Sequence, residues 1–233
     1  MKGKLYLLPM TLGDSGIDEV IPKPTQDLIL GLKFFIVENI KTTRRFLKKI
    51  SREVDIDELT FFEIGKHSNA YDYADYLKPC LAGNDVGVIS EAGCPGIADP
   101  GSEAVRIAHE KKIQVVPLVG PSSILLALIS SGFNGQKFAF NGYLNKDKSG
   151  RQKEILHLER LAIGGFTQLF MDTPFRSQAL LMDLLSTCNP ETKLCIASDI
   201  TLPSEKITTR TIRDWSNQIP NLSKKPCIFV LGR

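Results

Sequence analysis

Short β-branched or aromatic runs alternating with longer helical patterns predict an α/β protein, and a change of texture near residue 120 predicts two α/β domains. The length agrees, since 233 residues suit one large domain or two small ones at roughly 100–200 residues each. With 42% hydrophobic and 24% charged residues, the chain lacks the low-hydrophobicity, high-charge signature of disorder. A formal charge of +3 is too small to mark a nucleic-acid binder in bulk, so any such site has to be a local patch.

In the first half the strands are KLYLL at 4–8, FFIVE at 34–38, LTFFEI at 59–64, DVGVIS at 85–90 and IQVVPLV at 113–119. Their nearly unbroken apolar character predicts a parallel sheet covered on both faces. Between them, residues 41–50 carry Phe46, Leu47 and Ile50 at helical spacing, and residues 102–112 carry Val105, Ile107 and Ala108. GPSS at 120–123 then opens an apolar helix ending near Ser131 and Gly132, so domains are placed at 1–118 and 119–233. In the second half strands are predicted at 137–141, 167–171, 193–197 and 226–231, with another at 206–209 between a turn at Pro203 and a helix from Arg213. That order suggests a mixed sheet. Residues 145–151, NKDKSGR, read as a mobile loop by composition.

Five widely spaced cysteines, an odd number without C-x-x-C spacing, argue against a disulfide framework and a structural zinc site. Reduced thiols fit a cytoplasmic location. The apolar stretch at 5–10 contains Pro9 and lacks the flanks of a signal peptide, and no stretch reaches the ~20 residues of a membrane span. His67, His109 and His157 lie in separate segments, so no metal site is assigned; Trp215 and the pairs Phe34-Phe35 and Phe61-Phe62 read as core or interface.

Three loops follow apolar strands. SEAGCPGIADPGS at 90–102 holds three glycines and two prolines, the mark of a backbone held in special conformations, with Asp99 as N-cap and Pro100 at N1 of the next helix. VGPSS at 119–123 offers Ser122 and Ser123 beside free backbone donors. PMTLGD at 9–14 has one glycine and so does not carry a G-x-G-x-x-G dinucleotide fingerprint. In an open parallel sheet, loops at carboxyl strand ends line the ligand crevice, which makes the strand-end acids Glu38, Asp172 and Asp199 candidates too. Each reads equally as an N-cap or surface carboxylate. No Ser-His-Asp or Cys-His arrangement is legible.

VISEAGCPGIADPGSEAVR at 88–106, VVPLVGPSSILLALISSGF at 115–133 and FNGYL at 140–144 together resemble the tetrapyrrole methylase superfamily. Within it they are most similar to the bacterial small-subunit ribosomal RNA 2′-O-ribose methyltransferases. KLYLLPMTLGD, VENIKTTRRFL, FMDTPFR and CIASDIT resemble further segments of that family in collinear order. The resemblance implies two α/β domains with S-adenosylmethionine in a cleft between them, usually in a homodimer. By position, Leu12 and Gly13 would line one wall, while Glu91, Ala92, Gly93, Ile97, Asp99 and Pro100 would hold the amino-acid end and sulfonium region. Gly120, Pro121, Ser122 and Ser123, with Leu144, Met171, Asp172, Ala197 and Ser198, would surround the adenosine.

Where the ribosomal enzymes read E-D-T-R this chain has Glu38-Asn39-Ile40-Lys41, where they read A-R-E-L it has Ala197-Ser198-Asp199-Ile200, and near the end their K-G-E becomes Lys225-Pro226. Glu38 is expected as base or orienting acid and Lys41 as the group steering an acceptor phosphate. Basic segments at 42–49 and 146–151 are candidate contacts for ribosomal RNA or the small subunit. Two other readings are a methyltransferase for a corrin or porphyrin precursor and a protein that binds S-adenosylmethionine without transferring its methyl group.

Overall fold

The computed structural model describes residues 1–64, 70–99 and 101–233, so His67 and Pro100 lie outside the described residues. The chain divides into two compact units, Met1–Ser122 and Ser123–Arg233.

The first unit runs β1 (Lys4–Leu8), α1 (Ile17–Val20), α2 (Lys23–Gly31), β2 (Phe34–Val37), α3 (Ile40–Ile50), β3 (Thr60–Glu63), α4 (Ala70–Tyr76), α5 (Lys78–Leu81), β4 (Val86–Ile89), α6 (Gly101–Glu110) and β5 (Gln114–Pro117). Its sheet has the order β3-β2-β4-β1-β5, parallel throughout. Successive side chains point to opposite faces, and both faces are covered, which is why these strands are apolar at nearly every position. Leu5, Ile36, Val86 and Val88 pack with Leu77, Ala104 and Ile107, while Tyr6, Leu8, Phe35 and Val37 pack with Ile29, Phe46 and Leu47. Asn39 caps α3 by accepting from Thr42 N at 3.0 Å.

The second unit runs α7 (Ser123–Ser131), β6 (Phe138–Tyr143), α8 (Lys148–Ile163), β7 (Thr167–Asp172), α9 (Ser177–Thr187), β8 (Lys193–Ser198), β9 (Lys206–Thr211), α10 (Ile212–Asn217) and β10 (Cys227–Gly232). The sheet order is β6-β7-β10-β8-β9, mixed as expected: β6 and β7 are parallel, and β10 lies antiparallel between β7 and β8. Phe170, Leu194, Ile196, Phe229 and Leu231 share one face with Ile155, Leu158, Leu180 and Leu184. Trp215 is buried in that core and donates from Nε1 to Leu194 O at 2.9 Å.

The expectation of a mobile loop at 145–151 is corrected. Asp147 is the N-cap of α8, accepting from Gly150 N at 2.8 Å, and Arg151 is buried within the first turn. The Asp, Ser and Gly that read as loop composition are the chemistry of a helix start.

Candidate active site

All five strands of the first sheet are parallel, so the chain segments that leave them emerge along one edge. Three of these segments meet. Met10 N donates to Gly93 O at 2.9 Å, joining the loop after β1 to the loop after β4. Gly93 has φ +69°, and a Cβ built there would stand 3.2 Å from Leu12 Cδ2 and 3.5 Å from Pro121 O. A Cβ on Gly120 would fall 2.1 Å from Pro9 Cβ, so the loop after β5 lies directly against the loop after β1. Only a bare backbone fits at Gly120, and the positive φ favours glycine at Gly93. Cys94 Sγ lies 3.5 Å from Pro121 O, and burial pushes its thiol pKa up, with the charge of Asp99 adding to the effect.

The loop after β4 also closes on itself. Asp99 Oδ1 accepts from Gly96 N at 2.7 Å and from Gly101 N at 2.8 Å, which is the capping role expected of it. Ser90 Oγ donates to Ala92 O at 3.2 Å. Gly96 and Ala98 both have positive φ, so the stretch is strained into shape, while Glu91, Ala92 and Ile97 stay exposed at its surface.

Glu38, just past β2, is half-buried and its Oε2 accepts from Glu91 N at 2.8 Å. Burial pushes its carboxyl above the ordinary 4.5; the Glu91 N–H pulls it back, and the charges of Asp99 and Glu91 push it up again. Lys41 is exposed in the first turn of α3. Pro9 and Cys94 lie in loops that the sequence singled out, whereas Glu63 was missed. Glu63 accepts from Ile40 N at 3.0 Å, and its place at the end of a parallel strand, like that of Glu38, was the available signal.

In the second unit the expected residues separate by face. Register pairs Met171 and Ala197 with Ile228, and Asp172 and Ser198 with Cys227, so the two pairs point to opposite sides of the sheet. Asp172 is held by Arg176 at 3.0 Å and Ser198 Oγ donates to Lys206 O at 3.3 Å. Leu144 belongs to the core beside Ile155 and Leu158. Asn141 Nδ2 lies 3.2 Å from both Gln168 Oε1 and Leu169 O, beside a register shift between Phe140 and Tyr143. Asp199 is buried and paired with Lys225 at 2.8 Å. Among the described residues, no group of three or more His, Cys, Asp or Glu is placed to hold a metal ion.

Loops gathered at the carboxyl ends of a parallel sheet are where α/β proteins commonly bind small molecules. A model of the tetrapyrrole (corrin/porphyrin) methylases matches residues 34–215, and the chain belongs to that family of methyltransferases. It is 28% identical over 211 residues to the ribosomal RNA small subunit methyltransferase I of Synechocystis sp., covering 91% of this chain and 72% of that protein. To the protein of the same name from Bacillus subtilis it is 28% identical over 233 residues, covering 99% and 75%. The fold is shared with the methyltransferase CobJ, at a TM-score of 0.64 and 17% identity over 99% of this chain and 94% of that one. It is shared too with cobalt precorrin-4 methyltransferase CbiF, at 0.62 and 15% over 98% and 94%.

Proposed function

We propose that this methyltransferase takes its methyl group from S-adenosylmethionine and places it on a ribose 2′-hydroxyl of small-subunit ribosomal RNA. The observation that carries the reading is the meeting of the loops at 9–14, 90–99 and 118–122 around Gly93 and Gly120, in a chain whose relatives over 91% and 99% of its length bear the ribosomal RNA name. The likeness to CobJ and CbiF, at 17% and 15% identity, is one of fold and says nothing of the acceptor.

The residues fit the cofactor. The exposed residues Glu91, Ala92 and Ile97, on a loop shaped by the positive φ of Gly93, Gly96 and Ala98, suit a ligand held close to the main chain. S-adenosylmethionine, when bound, supplies an electrophilic methyl group on a sulfonium. The protein's part is to hold donor and acceptor in line, because positioning accounts for much of such a displacement. A ribose hydroxyl is a poor nucleophile that needs orienting, and Lys41, exposed in the first turn of α3, offers a charge to steer the acceptor's phosphate.

The acceptor's phosphates have a matching surface. Lys41, Arg44 and Arg45 follow the i, i+3, i+4 spacing of one helix face, and all three are exposed. Arg44 lies over the Phe61 ring at 5.4 Å, which holds its guanidinium in place. Lys48 and Lys49 are engaged within the protein, the first at Arg52 O and Val54 O and the second at Asp14 and Ser15 O. Leu125 and Ile129, one turn apart on α7 and 52% and 75% exposed, suit burial against a second copy in a homodimer. A ribosomal partner implies a cytoplasmic location; no helix among the described residues is long and apolar enough to cross a membrane.

The test is transfer of labelled methyl from S-adenosylmethionine to small subunits purified from a strain lacking the gene, with wild-type subunits as the already modified control. Label in the RNA of the deficient subunits alone is expected. No label from protein that binds the cofactor would overturn the acceptor.

A further inference from the structure

We infer that Glu38 is a positioning residue: it acts on cofactor affinity by tethering the loop after β4 through the Glu91 backbone, and it does not draw the proton from the acceptor. The inference rests on the reading that this loop holds S-adenosylmethionine. Its carboxylate Oε2 accepts from Glu91 N at 2.8 Å, so one of its two oxygens is already committed to a donor within the protein. The loop has further pins: Gly93 O takes Met10 N, and Asp99 Oδ1 takes Gly96 N and Gly101 N. Glu38 holds the entry to the loop, two residues before Gly93, and reaches it from the neighbouring strand.

The same device recurs one strand over. In the order β3-β2-β4, Glu63 at the end of β3 accepts from Ile40 N, in the chain leaving β2, at 3.0 Å. Glu38, in the chain leaving β2, accepts from Glu91 N in the chain leaving β4. Each carboxylate therefore ties the outgoing backbone of its neighbour in the same direction across the sheet. A repeated arrangement of this kind belongs to the architecture of the edge, and only its last link touches the glycine-rich loop.

The experiment compares wild type, Glu38→Ala, Glu38→Asp and Glu38→Gln by three readouts: hydrogen exchange of the Glu91 amide in free protein, calorimetric affinity for S-adenosylhomocysteine, and KM and kcat for methyl transfer. Ala lacks the acceptor and Asp is one methylene too short, so both should lose Glu91 protection. Both should also weaken affinity and raise the cofactor KM roughly tenfold, with a smaller change in kcat. Gln presents a carbonyl oxygen at the same reach and should recover most of the protection and affinity. A Glu38→Gln protein that binds normally but loses roughly 100-fold or more in kcat would make Glu38 the base and overturn the inference. Unchanged Glu91 exchange in Glu38→Ala would overturn it as well. Failure of wild type to bind would instead defeat the cofactor reading, and the exchange comparison would still decide the tether.

Discussion

Arg151 Nε donates to Asp183 Oδ2 at 2.7 Å, and the same guanidinium donates from NH1 to the carbonyls of Asn145 and Lys146, each at 2.9 Å. One buried side chain thus sews the segment after β6 to α9. Removing it strands a buried carboxylate, a loss of about 3–5 kcal/mol. Arg151→Ala should lower stability by about that much in denaturant melts, and Arg151→Ala with Asp183→Leu should recover part of it. Neither change should alter the salt dependence of RNA binding, because Arg151 is no part of the surface.

Gly120 faces the opposite problem, too little room. Its built Cβ meets Pro9 Cβ at 2.1 Å, and proline cannot swing away. Gly120→Ala should force the loops after β1 and β5 apart, destabilising by about 1–3 kcal/mol and weakening cofactor affinity. Gly135→Ala, with nothing within 4 Å of the added carbon, is the matched control and should leave the melting temperature within error.

Glu38 also sets a pH dependence. Burial raises its folded pKa above the ordinary 4.5, with Asp99 and Glu91 as the facing charges. The folded state then binds the proton more tightly than the unfolded state, so this group's contribution to stability falls as pH rises from about 4.5 through the raised value and stays low above it. Glu38→Gln carries no such charge. The gap in melting temperature between variant and wild type should therefore move in favour of the variant between pH 4 and pH 7, and a gap constant with pH would contradict this account.

On α3 the exposed cations divide by occupation. Arg44→Ala and Arg45→Ala should each lower the slope of log affinity against log salt for a single-stranded RNA oligonucleotide by roughly 0.7, the value for one lost phosphate contact. Lys48→Ala should leave that slope alone and reduce stability, since its ammonium satisfies Arg52 O and Val54 O. Fluorescence anisotropy across a salt series separates the two behaviours.

Strands of the first sheet were legible because both its faces are covered: FFIV and VGVI are apolar at nearly every position, and burial on two sides makes that pattern. The glycine-rich loop was legible because Gly93 and Gly96 need backbone angles that other residues avoid. The partner of Glu38 was not, since it depends on β2 lying beside β4, a neighbour 53 positions away that no local pattern announces. Arg151 was misjudged for a similar reason. Its charge read as part of a basic RNA-facing loop because Asp183 stands 32 residues downstream, on another helix.

The place of β10 has a consequence for synthesis. It is the last strand in this chain, yet it lies in the middle of its sheet, paired with β7 on one side and β8 on the other. Until residues 227–232 leave the ribosome, β7 and β8 have no strand between them, and Phe170 and Ile196 lack the Phe229 layer that joins them. The first unit, whose strands all lie before residue 118, meets no such delay. Folding during translation is thus ordered, with one half complete while the other waits with open strand edges, and ribosome-bound chains halted before Cys227 should be cleaved by protease only in the second half.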